Sequence, residues 1–137
     1  LPLNSAITPH PKELAKLLKI SAEEVLRDRI KAARNAAKNF NTVVVLKGSK
    51  TIIAEPDGSI YINPTWNSGL AKAGTGDVLT GMIAGFAAQG MKLINAAILG
   101  SYLHGLAADI AVEELTEYCL TPEKLMNYIP AAIKKVL

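Results

Sequence analysis

Apolar residues recur at Leu26, Ile30, Ala33, Ala37 and Phe40, at intervals of four, three, four and three. That period predicts a helix with those five side chains on one buried stripe and Arg27, Lys31, Arg34 and Lys38 facing outward. Ser21 followed three residues later by Glu24 is a capping box that starts it. Upstream, the apolar stub Ser5-Ala6-Ile7 runs into Thr8-Pro9-His10-Pro11, where two prolines around one residue fix an extended, rigid turn. Pro11 suits the first position of a short helix over residues 12–18. Beyond Asn39 and Asn41 the pattern changes. Thr42-Val43-Val44-Val45-Leu46 is β-branched and apolar without alternation, which predicts a strand covered on both faces, as in a parallel sheet. Residues 51–55 and 59–63 are strand-like and joined through Pro56-Asp57-Gly58, which predicts a hairpin.

Residues 63–76 form a polar loop bearing several glycines. From Asp77 to Gln89 the pattern is helical and almost wholly apolar, and Gly90 ends it. Residues 93–114 predict a second long, buried helix, and Thr121 with Pro122 caps a last one running to Val136. Helix, buried strand and hairpin in this order imply an α/β fold, with residues 1–137 as a single unit. Half of the residues are hydrophobic and 20% are charged, which supports a packed core and excludes wholesale disorder. A net charge of +3 is too small to argue for nucleic acid. The single cysteine, Cys119, excludes an internal disulfide framework and suits a reducing cytosol. Residues 93–112 are long enough to cross a bilayer. Asn95, His104 and Asp109 among Gly and Ala favour a close-packed buried helix instead, so no membrane is expected. Leu1-Pro2-Leu3-Asn4 carries no basic stretch and reads as no signal peptide.

Chemistry concentrates where the glycine-bearing loop meets the apolar helix. The free N–H groups at a helix start and the helix dipole favour an anion, and Gly74 and Gly76 let backbone amides turn toward it. Two familiar glycine motifs fail. A dinucleotide-binding turn needs a third glycine where Leu79 stands, and a P-loop needs Lys-Ser/Thr where the chain has Thr75-Gly76. Asp77 follows the cradle. It is either an acid favoured by the helix dipole or a general base on a hydroxyl attacking a phosphate.

The run Asn63-Pro64-Thr65-Trp66-Asn67-Ser68-Gly69-Leu70-Ala71-Lys72-Ala73-Gly74-Thr75-Gly76-Asp77-Val78-Leu79 resembles the nucleotide-binding signature of the ribokinase-like superfamily. Thr8-Pro9-His10-Pro11-Lys12-Glu13, Val44-Val45-Leu46-Lys47-Gly48-Ser49-Lys50-Thr51 and Leu79-Thr80-Gly81-Met82-Ile83-Ala84-Gly85 agree in order and spacing. Together they resemble the ADP- or ATP-dependent NAD(P)H-hydrate dehydratases. The resemblance implies the C-terminal half of a three-layer α/β/α domain. It implies repair chemistry: a phosphoryl group passes from ADP or ATP to the hydroxyl of hydrated NADH or NADPH, and phosphate is then eliminated.

By position, Asp77 is then the general base and a substrate contact, and His10 a second substrate contact. Lys47, Gly48, Ser49, Lys50 and Thr51 meet the nucleotide. So do Asn67, Ser68, Gly69, Leu70, Ala71, Lys72, Ala73, Gly74, Thr75 and Gly76. Mg²⁺ is the expected cofactor, held on phosphates and water, with no metal-binding residues in the chain. His10 also reads as a solvated turn residue, and Lys47, Lys50 and Lys72 as surface charges. His104 reads as a hydrogen-bonded core histidine, and Cys119 has no partner to activate it. The sequence departs from the family at Trp66 and Ala73, where Gly is usual, and at Ser68, where Pro is. Trp66 suits stacking on an adenine or capping the hairpin, and Ala73 fits the cradle only with negative φ.

The family's preceding strands are not in this chain, so it is expected to need another polypeptide, either that half or a second copy, and a homo-oligomer is expected. Alternatives from other classes are a small-molecule kinase of the same superfamily, of the hydroxyethylthiazole or sugar type, and a half-domain that binds nucleotide without catalysis.

Overall fold

The computed structural model describes residues 1–137. A four-stranded sheet is ordered β1 (Ala6–Ile7), β2 (Val43–Leu46), β3 (Ile52–Ala54) and β4 (Ile60–Ile62). β1 runs parallel to β2, whereas β2–β3 and β3–β4 are antiparallel. β2 is buried on both faces as its pattern predicts, but only one of its neighbours is parallel.

The alternation of side chains along a strand divides the core. Val44 and Leu46 face Leu14, Val25 and the alanines of one helical layer, whereas Val43 and Val45 face Leu79, Ile83, Ala96 and Ala97 of the other. The first layer holds α1 (Pro11–Leu18), α2 (Ala22–Arg27) and α3 (Arg29–Phe40). The second holds α4 (Thr75–Ala88) and α5 (Leu93–Cys119), with α6 (Pro122–Val136) packed outside them through Leu103, Leu120 and Leu125. This is a three-layer α/β/α arrangement. The outer edges of β1 and β4 have no partner strand within the chain.

The helix predicted after Ser21 is two helices. The chain leaves helical geometry at Asp28 (φ −148°, ψ 83°), whose side chain caps α3 by accepting from the Lys31 N–H. The break changes the buried stripe. Val25, Ala32, Ala33, Ala36 and Ala37 face the core, whereas Leu26 is 58% exposed and Ile30 36%. The capping box of Ser21 and Glu24 is present, and Asn41 ends α3 in the left-handed region. The hairpin is closed by Pro56-Asp57-Gly58, with the Asp57 carboxylate accepting from the Ser59 N–H and Gly58 at φ 94°. α4 begins at Thr75, two residues before the predicted start.

α5 alone is long and apolar enough to cross a membrane, and half of its most apolar window is buried in the protein. Small residues seat it. A Cβ at Gly100 would lie 2.8 Å from the Ile83 side chain, and one at Gly105 would overlap Thr65. Its regular geometry fails at Thr116 (φ 64°, ψ 162°).

Candidate active site

Gly74 caps α4 at φ 93°, and no side chain closes that helix start. The N–H groups of Gly76 and Asp77 have no acceptor in the fold. They point the positive end of the α4 dipole at open space, which is the arrangement that binds phosphate oxygens. The Thr75 hydroxyl knots the preceding loop, its single O–H shared between the Leu70 and Lys72 carbonyls at 2.7 and 2.9 Å. From below, His104 Nε2 lies 2.8 Å from the Thr75 carbonyl. That bond fixes the tautomer with the proton on Nε2. Burial pushes the His104 pKa down, and the hydrogen bond to Thr75 opposes that only in part, so the ring is neutral. The expectation of a hydrogen-bonded core histidine holds, and its partner is the first residue of the cradle helix.

β2 delivers Lys47 to the same place. A Cβ on Gly76 would stand 3.0 Å from Lys47 Nζ, so the glycine leaves the ammonium room beside the cradle. Lys47 Nζ also lies 3.9 Å from Glu13 Oε2. Glu13 in turn holds His10 through a reciprocal cap of α1. The His10 N–H donates to Glu13 Oε2 at 2.7 Å, and the Glu13 N–H donates to His10 Nδ1 at 3.2 Å. That His10 N–H holds the Glu13 carboxyl below its ordinary value, against a small burial penalty and with help from Lys47. Because Nδ1 accepts, the His10 proton sits on Nε2. The Lys47 N–H donates to the Pro9 carbonyl at 2.9 Å, which ties the His10 turn to the end of β2.

His10, Lys47, His104 and the start of α4 share one cavity of about 480 Å³. Of the residues singled out from sequence, His10, Lys47, Gly48, Thr51 and the run from Leu70 to Asp77 line it. Ser49, Lys50, Asn67, Ser68 and Gly69 do not. Asn67 works behind the loop, accepting from the Gly69 N–H and donating to Asp109 at 2.9 Å. Ser68 pairs with the Glu117 carboxylate. Asp77 is exposed at the cavity with no hydrogen bond of its own, free to meet a ligand. Ala73 keeps a negative φ, as its place in the cradle requires. Trp66 lines the cavity at 38% exposure, the position of a stacking surface.

Sequence reasoning gave no role to Glu13, Thr65 or Ser101. The pair His10-x-x-Glu13 is a cap-and-N3 spacing, and that signal was available. Thr65 is fixed by its hydroxyl donating to the Tyr102 carbonyl at 2.9 Å, and Asn63 Nδ2 donates to the Ser101 carbonyl at 3.0 Å. Ser101 is 2% exposed on the inner wall, and its hydroxyl has no hydrogen-bond partner. No local pattern announces those tertiary contacts.

The family profile of NAD(P)H-hydrate dehydratases (Carb_kinase) matches residues 3–131. The chain is 48% identical over 110 residues to the ADP-dependent (S)-NAD(P)H-hydrate dehydratase of Neisseria meningitidis, covering 80% of this chain and 37% of that protein. It is 45% identical over 130 residues to the bifunctional NAD(P)H-hydrate repair enzyme of Moorella thermoacetica, covering 95% of this chain and 24% of that one. The crystal structure of the ADP/ATP-dependent NAD(P)H-hydrate dehydratase from Bacillus subtilis, co-crystallised with ATP/Mg²⁺, superposes with a TM-score of 0.85 at 38% identity. It covers 95% of this chain and 47% of that one. The chain therefore spans a quarter to a half of the relatives it matches, and it aligns with their C-terminal part. With its three layers and glycine cradle, the chain belongs to the NAD(P)H-hydrate dehydratase family.

Proposed function

We propose that this chain forms the nucleotide-binding half of an ADP- or ATP-dependent NAD(P)H-hydrate dehydratase. The observation that carries the reading is the convergence on one cavity of the open α4 start, Lys47 beside Gly76, and an unengaged Asp77 carboxylate. The relatives named for ADP- or ATP-dependent dehydration support it.

In this reading the amides of Gly76 and Asp77 and the Lys47 ammonium hold the phosphoryl group in flight. Their fixed dipoles stabilise its charge without reorganising. The hydroxyl of the hydrated nicotinamide attacks phosphorus and its proton passes to the Asp77 carboxylate, while the bond from phosphorus to the nucleotide's bridging oxygen breaks. The phosphorylated carbon then loses phosphate with the bonding electrons, and loss of a proton from the neighbouring carbon restores the double bond. His10 lines the cavity with its Nε2 3.4 Å from Glu13 Oε1, and its ring meets the dinucleotide there. Trp66 supplies a flat face for the adenine.

No group of three or more His, Cys, Asp or Glu side chains is gathered to hold a metal ion. Mg²⁺ would ride on the phosphates and water of a bound nucleotide. The open edge of β1 is where the N-terminal portion of the relatives, or a second copy of this chain, would complete the sheet. A single exposed cysteine, Cys119, fits a reducing cytoplasm.

The test is conversion of NADH hydrate to NADH with ADP or ATP and Mg²⁺, followed at the absorbance of reduced nicotinamide, with the chain alone and with the N-terminal portion of a relative added. Asp77→Asn is expected to cut turnover by about 10²–10⁴-fold while ADP still binds. Turnover that survives Asp77→Asn removes the general-base assignment. A product that keeps its phosphate moves the chain to the small-molecule kinases.

A further inference from the structure

Lys72 lies two residues before Gly74, where a free lysine would reach for phosphate. Its ammonium is not free. It donates to the carbonyls of Glu117 at 2.9 Å, Tyr118 at 3.0 Å and Leu120 at 2.5 Å, at the end of α5. Those are carbonyls a helix leaves unsatisfied at its C-terminus, where the dipole also favours a cation. An ammonium has three N–H donors, and three carbonyls take them all.

The same corner meets the loop at three further points. The Ser68 hydroxyl pairs with the Glu117 carboxylate. A Cβ on Gly69 would stand 3.0 Å from Leu120 Cδ2, and one on Gly74 would stand 2.9 Å from Pro122 Cγ. The path from Lys72 to the cradle is short. Its carbonyl accepts from the Thr75 N–H at 3.4 Å and from the Thr75 hydroxyl at 2.9 Å. Fixing Lys72 therefore fixes the first residue of α4.

We propose that Lys72 is a positioning residue that seats residues 67–76 on the α5–α6 corner and so sets the geometry of the anion cradle without touching phosphate. This rests on reading the cradle as a nucleotide site. The lysine expected to bind nucleotide spends its charge on the helix end behind the site, and the phosphate side is left to Lys47 and the amides. Its effect on binding passes through the loop and depends on the other tie at the same corner, Ser68.

The experiment uses this chain as wild type, Lys72→Met, Lys72→Arg, Ser68→Ala and the double variant Lys72→Met/Ser68→Ala. Amide hydrogen exchange of residues 69–76 is measured without nucleotide, and ADP affinity is measured from Trp66 fluorescence. Lys72→Met is expected to speed exchange across the loop by about tenfold and to weaken ADP by a similar factor. Lys72→Arg, which keeps donors for the carbonyls, is expected to recover most of both. In the double variant the two losses are expected to be coupled rather than simply multiplied.

Unchanged exchange in Lys72→Met overturns the proposal. So does independent multiplication of the two losses, which is the mark of a direct phosphate contact. Should Lys72→Met fail to fold, Lys72→Gln carries the same measurements. A wild-type chain that binds no ADP removes the nucleotide reading, and the exchange data then decide the clamp by themselves.

Discussion

Replacing Gly74 by alanine perturbs the cradle at its tightest point. Gly74 sits at φ 93°, and an added Cβ would stand 2.9 Å from Pro122 Cγ. A residue with a Cβ in the left-handed region costs about 1–2 kcal/mol. Forcing the methyl against the proline ring adds about 1–3 kcal/mol if the corner cannot move. The combined loss is about 2–5 kcal/mol, a large share of the roughly 5–15 kcal/mol that holds a typical domain together. With a urea slope of about 2 kcal/mol per molar, the unfolding midpoint falls by about 1–2.5 M. Two contributions of different origin make the reasoning testable. In Gly74→Ala/Pro122→Ala the ring is gone and its share is recovered, while the backbone share of about 1–2 kcal/mol remains. Urea unfolding followed by Trp66 fluorescence reads both, and ADP titration reads the cradle. A single variant within about 0.5 kcal/mol of wild type, as for an ordinary surface change, would refute the argument. Full recovery in the double variant would refute the backbone part.

Three other outcomes are expected. His104 has its pKa lowered by burial from the ordinary 6.5, so the unfolded chain binds more protons than the folded one between the two values. This contribution is complete above about pH 6.5 and is lost as pH falls from there through the folded value. Denaturation midpoints across pH 5–8 should show that slope, and His104→Gln, which can donate to the Thr75 carbonyl without titrating, should flatten it. Thr116→Gly should stabilise the chain by about 1 kcal/mol in thermal unfolding, because a β-branched residue at φ 64° is strained by more than glycine's unfolded-state entropy costs. Ser101→Ala should leave stability unchanged or raise it by up to about 1 kcal/mol, since the buried hydroxyl it removes has no partner to lose.

Periodicity carried the fold well where a single interaction dominates. β2 is apolar at every position because both faces are covered, and the caps at Ser21, Asn41, Gly90 and Thr121 act through local backbone bonds that short spacings encode. The stripe departs from its spacing only at Leu26 and Ile30, on either side of Asp28, which looks like an ordinary helical acid until its side chain caps a second helix. That one break leaves Leu26 and Ile30 outward and adds Ala32 and Ala36 to the buried face, while Ala33, Ala37 and Phe40 pack inward as their spacing predicts. The candidate site divides in the same way. Gly74, Gly76, Asp77 and His10, singled out by residue type and spacing, do line one cavity. What Lys72, Asn67 and Ser68 bond to within the fold was not legible in the same way. Their partners, Glu117, Tyr118, Leu120 and Asp109, lie more than 40 residues away, beyond any local pattern.

The alanine face of α3 has a consequence for how the active end of the sheet tolerates change. Ala33, Ala36 and Ala37 are fully buried against β2 and β3, so the helix lies as close to the strands as a methyl group allows. From the first turn of that helix Arg29 reaches over to the Leu46 and Lys50 carbonyls, at 3.5 and 3.3 Å. A Cβ on Gly48 would come within 2.5 Å of its guanidinium. The alanines thus act as a shim whose thickness sets where the turn carrying Lys47 rests. A bulkier residue such as valine at Ala36 would lift the helix, and close-packed interiors pass such a displacement on rather than absorb it. Lys47 would register the change although nothing on α3 touches its ammonium. Mutational tolerance on this face should therefore follow side-chain volume more closely than hydrophobicity.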